Sequence, residues 1–368
     1  MAPGLPSCRA SGRRDADQLP VIAPADTFDA DNIAHSNYKT AQTVTPEERM
    51  AELVTVSRTD APLKVRKLGA FLGAEVTDID LTRPLDDPTV KAVDAALVAH
   101  ETLVFPRQTI SSEDLKRFGR YFGELTVHPF STNAAETPEL IVYDNKEGNP
   151  PAATDIWHSD ETFRECPPMG TMLCSKIIPE IGGDTCFHSM TAAYEGLSDR
   201  MQHFISGLEA VHDFKPFKAL FAETEEGWRK LRHFEEIYRP VTHPVVRVHP
   251  VSGKKALFVN PQFTLFIKGM EERESRDLLQ MLFRVTTVLE HQYRHRWEPN
   301  MVVFWDNRST QHAAVHDYYP QRRLMERVTI KGDRPQGTGE VAKVSELRRF
   351  KMPPVMSLKG RAIRQHER

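Results

Sequence analysis

The chain has 368 residues, 40% hydrophobic and 27% charged, with a formal net charge of −3. That balance excludes a polyelectrolyte built to coat nucleic acid or an anionic membrane. No run of about 18 apolar residues is present to span a bilayer, and no apolar stretch follows Met1, so neither a membrane anchor nor a secretory signal is expected. The four cysteines, Cys8, Cys166, Cys174 and Cys186, form no C-x-x-C pair and read as scattered thiols of a cytoplasmic protein rather than a disulfide framework.

Residues 1–60, rich in Ala, Asp, Pro and Thr, lack sustained periodicity and read as a mobile arm with a short helix over 46–54. From Leu63 the texture changes: Leu63, Val65, Val76, Ile79 and Leu81 cluster about Gly69 and Gly73, as short strands and turns do. Asp87 followed by Pro88 predicts a helix start, with Val90, Val93 and Leu97 continuing one face. Ser111, with Asp114 three residues on, predicts a second start above a stripe of Leu115, Phe118 and Phe122. Further helices are expected near 198–206 (Met201, Phe204 and Ile205, ended by Gly207) and 272–291 (Leu278, Leu282, Val285, Leu289). Between them lie strand-like runs at 140–143, 171–175, 245–248, 256–259, 301–305 and 324–330, punctuated by Gly, Pro and Asn. This pattern predicts an antiparallel sandwich or jelly roll with helices packed outside, not a doubly wound parallel sheet. One domain is expected over 61–335. The extension 336–368, basic through Arg348, Arg349, Lys351, Arg361, Arg364 and Arg368, reads as a solvated tail.

Chemistry concentrates in three places. In Trp157-His158-Ser159-Asp160, a strand conformation would present the imidazole and the carboxylate on one side. With one more histidine they would complete the 2-His-1-carboxylate set of iron(II) oxygenases. The triplet alone is unspecific in a chain with 15 histidines. His312 follows the apolar run 301–305 and would sit at the mouth of a barrel; a surface or core histidine is the other reading. In the run 323–330, alternation places Arg323, Met325, Arg327 and Thr329 on one face. Two buried arginines require anions, either a buried carboxylate or a small dianionic cosubstrate gripped bidentately.

The segments WHSDETF (157–163), GGDT (182–185), GLEAVHDF (207–214), HPVVRVHPVSGKKALFVN (243–260) and WDNRSTQHAAVHDYYPQRRLMER (305–327) occur in this order. With them, the run from about 63 to 335 resembles the taurine/2-oxoglutarate dioxygenase family, which includes alkylsulfatases and aryloxyalkanoate dioxygenases. The resemblance implies a mainly β fold with peripheral helices around a double-stranded β-helix (jelly roll) core. It implies Fe(II), 2-oxoglutarate and O2 as cofactors, with the iron held by His158, Asp160 and His312. Thr185 and Arg323 would bind 2-oxoglutarate, and Arg327 and His128 the anionic end of the substrate. Because Asp160 fills a coordination position, no halide site is left, and hydroxylation is preferred over halogenation.

The pattern departs from the taurine enzyme at the other end of the pocket. Thr154 stands where that enzyme has an asparagine, and Ser131 where it has a tyrosine, while Phe217 is the expected apolar wall. The expected reaction is hydroxylation of a C–H bond of a small organic anion (a sulfonate, sulfate ester or carboxylate), releasing succinate and CO2. A biosynthetic hydroxylation or desaturation, or a non-catalytic jelly-roll protein that senses a small anion, are the alternatives. The family suggests a homodimer or tetramer, and neither a nucleic-acid nor a membrane partner is expected.

Overall fold

The structure is a computed structural model that describes residues 63–127, 138–146, 154–214 and 224–339. The expected arm over 1–60, its helix at 46–54, Cys8 and the extension beyond 339 lie outside these residues. Cys166, Cys174 and Cys186 are free thiols. Among the described residues no helix is long and apolar enough to cross a membrane.

The described residues are rich in strands, which assort into four sheets. The largest has seven strands in the spatial order Lys64–Lys67, Ala74–Thr77, Thr102–Phe105, Val302–Asp306, Gly170–Ile177, Leu324–Ile330 and Ile141–Asp144. Every pairing in it is antiparallel except that between Ala74–Thr77 and Thr102–Phe105. Both faces of its centre are buried, so the strand Val302–Asp306 reads, up to Trp305, as a continuous apolar run rather than an alternation. One face, carrying Leu103, Phe105, Met172, Phe304, Val328 and Ile330, packs with helix residues Val93, Leu97, Leu115 and Phe118. The opposite face, carrying Val104, Leu173, Val303, Trp305 and Met325, packs with Phe187 of the strand Thr185–Ser189. That strand is the centre of a three-stranded sheet, flanked by Gln292–His295 and Thr310–Ala314. The chemistry expected at His312 therefore sits beside a dry, two-sheet layer. The remaining sheets are Thr264–Ile267, Glu209–His212 and Val241–Pro244, and Lys255–Leu257, Val246–Val248 and Gln336–Gly337.

Local chemistry explains where helices start and stop. The first runs Asp87–His100, and its cap is Asp86 rather than Asp87, the Asp86 carboxylate accepting from Thr89 N at 3.0 Å. Pro88 thus lies within the first turn, where a missing N–H costs nothing. The second, Ser112–Arg120, has the expected capping box between Ser111 and Asp114. Asp199–Ile205 is capped by Ser198, with Ile205 buried but Phe204 exposed. The helix expected over 272–291 ends at Phe283 and continues as two 3-10 turns. Thr286 and Thr287 hydroxyls donate to the carbonyls of Phe283 and Arg284, a local competition that disfavours helix propagation. Leu289, expected on the buried stripe, is 74% exposed. Two helices add to those expected: Met190–Glu195 and Glu225–Ile237, the latter capped by Thr224.

Candidate metal centre

His158 and Asp160 do not lie on a strand. His158 forms an isolated bridge with His312, and Asp160 occupies the turn that follows. The bridge is a reciprocal pair of backbone hydrogen bonds, His158 N to His312 O at 3.0 Å and His312 N to His158 O at 2.8 Å. His312 itself is on a strand, Thr310–Ala314, the one that follows Val302–Asp306. The three residues expected from the sequence do come together, but His158 and Asp160 meet by a different local geometry from the strand alternation expected. Cross-strand pairing brings the two imidazoles together, and a turn rather than strand alternation sets Asp160 beside His158.

His158, Asp160 and His312 are all buried, and one donor atom from each lies within 4.8 Å of the others. Each imidazole Nε2 is 3.8 Å from Asp160 Oδ1, too long for a hydrogen bond. The His158 Nδ1 lies 2.7 Å from the Ile156 carbonyl, so Nδ1 carries the proton in the neutral ring and Nε2 presents a lone pair. Burial keeps that ring neutral by lowering its pKa, against the opposing charge of Asp160. Burial, then the neighbouring His158, pushes His312 down to about 3. Desolvation tends to raise the Asp160 pKa, yet Arg327, His312 and His158 together hold it well below the usual carboxylate range. Neutral imidazoles and an ionised carboxylate, facing one another across a gap, are the protonation states a divalent cation requires.

The carboxylate is fixed from behind. Asp160 Oδ2 accepts from Thr171 Oγ1 at 2.7 Å, and Asp160 N donates to Asn307 Oδ1 at 3.3 Å. Asn307 also donates to Thr171 Oγ1 and accepts from Trp305 Nε1. Neither Thr171 nor Asn307 was singled out by the sequence reading, although Asn307 stands in the WDN segment. Their role shows only in the pairing of Val302–Asp306 with Gly170–Ile177.

The two arginines part company. A register shift between Leu324 and Met325 interrupts the alternation, and the strand begins at Leu324, so Arg323 does not share a strand face with Arg327. Arg323 instead lies over the rings of Trp297 and Tyr318, at 5.9 and 5.7 Å to the centroids. Its Nε is buried without a hydrogen-bond partner. Gly183, with φ +74°, closes against it: a Cβ there would meet Arg323 Cδ at 3.2 Å. Thr185 accepts from the same Trp297 through Nε1 at 3.0 Å. The GGDT turn and Arg323 therefore converge on one indole.

Arg327 is buried beside the triad. Its Nε donates to Thr329 Oγ1 and its Nη1 to Tyr143 OH, both at 3.1 Å. Its Nη2 is 3.0 Å from Asp160 Oδ1. Thr154 is placed against His316 Nε2 at 3.2 Å, while His128, Ser131 and Phe217 lie outside the described residues. An aromatic wall does stand by the triad: Phe263 meets the His158 ring edge-on at 6.1 Å and packs with Phe163.

Comparison with known proteins agrees with this geometry. Residues 64–329 match the family described as taurine catabolism dioxygenase TauD, TfdA family. The chain is 36% identical over 279 residues to an alpha-ketoglutarate-dependent sulfate ester dioxygenase of Pseudomonas putida, covering 75% of this chain and 91% of that protein. It is 35% identical over 277 residues to an alkylsulfatase of Acinetobacter baylyi, covering 74% and 86% of the two chains. Among solved structures, a taurine dioxygenase from Burkholderia xenovorans superposes with a TM-score of 0.64 at 34% identity, over 75% of this chain and 93% of that one. The match over most of the domain, and a His-Asp-His cluster inside it, make this chain a member of the TauD, TfdA dioxygenase family.

Proposed function

We propose that this protein is an Fe(II)- and 2-oxoglutarate-dependent dioxygenase that hydroxylates a C–H bond of a small organic anion, releasing succinate and CO2. The observation that carries the reading is the buried convergence of His158, Asp160 and His312 in the protonation states a divalent cation needs. These three side chains would hold the iron. Arg323, with a buried Nε lacking a partner, and Thr185, on the same indole, offer the charge and polar contact that a 2-oxoglutarate carboxylate would take. When bound, iron and 2-oxoglutarate supply the oxygen-activating chemistry, and the protein supplies ligation, orientation and dryness. His158 and His312 offer neutral nitrogen donors. Asp160 is kept ionised chiefly by Arg327 and pointed by Thr171, and Trp305, Phe187 and Phe263 pack against the imidazoles.

The relatives act, by their names, on sulfate esters and alkyl sulfates. That supports an anionic substrate with an apolar tail, oriented by Arg327 and His128, with Thr154 and Phe217 toward the tail. The reading includes a double-stranded β-helix core over 61–335, terminal extensions at 1–60 and 336–368, a cytoplasmic location and a homodimer or tetramer. Anaerobic addition of Fe(II) and 2-oxoglutarate should produce a weak visible charge-transfer band, and its absence would rule out the enzyme reading. In competition, longer uncharged-tail sulfonates and sulfate esters should outrun taurine; a strong taurine preference would refute the apolar-tail assignment.

A further inference from the structure

We infer that Arg327 sets the metal affinity of this centre, acting as a built-in counter-cation to the carboxylate ligand that an incoming metal ion must oppose. Three observations carry this. The guanidinium is anchored at two of its nitrogens by neutral hydroxyls, Nε on Thr329 and Nη1 on Tyr143. Its third nitrogen, Nη2, is 3.0 Å from Asp160 Oδ1, the same oxygen that faces both imidazole Nε2 atoms at 3.8 Å. That nitrogen makes no hydrogen bond, so its tie to Asp160 is charge on charge rather than a directional bond. Glu161, the next carboxylate along, is farther from Nη2 at 3.8 Å.

The arrangement has two opposed effects. Before metal arrives, Arg327 compensates a buried aspartate that would otherwise be costly to keep ionised, so the ligand is held charged and in place. Once metal arrives, the arginine cannot leave: its strand is buried and its other two nitrogens remain anchored. A fixed positive charge then stands against the oxygen that the cation must share. In a buried site that repulsion is screened far less than in water. Arg327 thus prearranges the ligand at the expense of affinity, favouring exchangeable metal. Toward the metal it acts through Asp160, as a positioning residue.

The test is calorimetric titration with Mn(II), without oxygen or 2-oxoglutarate, of the full chain carrying Arg327→Gln or Arg327→Lys. Removing the charge should tighten Mn(II) binding on the order of tenfold or more, while the lysine variant should stay within about threefold of wild type. If metal-free Arg327→Gln is unfolded, Mn(II) should recover the native circular dichroism spectrum, because binding to the folded form alone stabilises it. Unchanged or weaker binding in Arg327→Gln, equal tightening in Arg327→Lys, or no recovery on adding Mn(II) would each overturn the inference. It rests on the triad being the metal site. Loss of Mn(II) binding in Asp160→Ala secures that reading separately, and a wild type that binds no Mn(II) would sink both.

Discussion

Two buried aspartates in this molecule are surrounded by the same residue types and behave differently. Asp306 accepts from Arg308 twice, Nε at 2.8 Å and Nη2 at 2.7 Å, from Arg308 N at 2.9 Å, and meets His249 Nε2 at 3.0 Å. The His249 Nδ1 accepts from the backbone N–H groups of Val251 and Ser252, so its proton sits on Nε2 and points at the carboxylate. Around Asp160 the imidazole polarity is reversed at His158: Nδ1 donates to a carbonyl, and a lone pair faces the carboxylate from 3.8 Å. Composition is therefore a poor guide to role. Asp-His-Arg with the proton turned inward is a closed structural knot; with the lone pair turned inward it offers donors to a cation.

The largest test of this contrast swaps the consequences. His312→Ala should abolish iron-dependent succinate formation while leaving the denaturation midpoint of the metal-free protein near wild type. Asp306→Ala should instead cost about 3–5 kcal/mol of stability in chemical denaturation, because it strands the buried cation of Arg308. If His312→Ala unfolded the protein and Asp306→Ala abolished only metal binding, the two roles would be exchanged.

At the end proposed for the cosubstrate, Arg323→Ala should weaken 2-oxoglutarate by about 2–5 kcal/mol, the usual loss on removing one partner of a desolvated charge pair. Metal affinity should be retained. An unchanged apparent constant for 2-oxoglutarate would instead make the Trp297–Arg323–Tyr318 stack purely structural. A smaller effect is expected behind the ligand: Thr171→Val removes the hydrogen bond to Asp160 Oδ2 and should weaken metal binding by about 10–100-fold. Titration calorimetry with Mn(II) distinguishes this from a folding defect.

Acid sensitivity should come from the buried histidines, and His188 and His243 are two that lie apart from the Asp160 and Asp306 clusters. Burial pushes His188 and His243 down to about 4 in the folded protein, whereas unfolded histidines titrate near about 6.5. Between these values the unfolded chain binds more protons. Stability is then complete above about 6.5 and falls with pH, by up to about 1.4 kcal/mol per unit for each histidine, until about 4. Melting temperature measured across this window should decline, and His188→Gln should flatten the slope; an unaltered slope would remove His188 from the account.

Local signals survived folding where they depend on a few neighbouring residues. The capping box at Ser111 and Asp114 and the strand Leu324–Ile330 appear where the pattern put them. The helix expected to 291 stopped at Phe283 because threonine hydroxyls compete for the carbonyls, a short-range effect that hydrophobic spacing ignores. Strands such as Thr185–Ser189 and Thr310–Ala314 were not read, since their polar residues, Thr185, His188, Thr310 and Gln311, are buried by tertiary contacts and carry no alternation.

The His-Asp-His set that clusters and the family were legible in the sequence itself, because residue identity and motif order are properties of the chain. How the ligands meet was not. His158 and His312 are 154 positions apart, and only the bridge between their backbones, the bulge that turns Arg323 away from Arg327, and the sheet that sets Thr171 behind Asp160 decide the geometry. Direction of a proton and spacing of 3.0 against 3.8 Å are set by neighbours remote in sequence, and so by the tertiary structure alone.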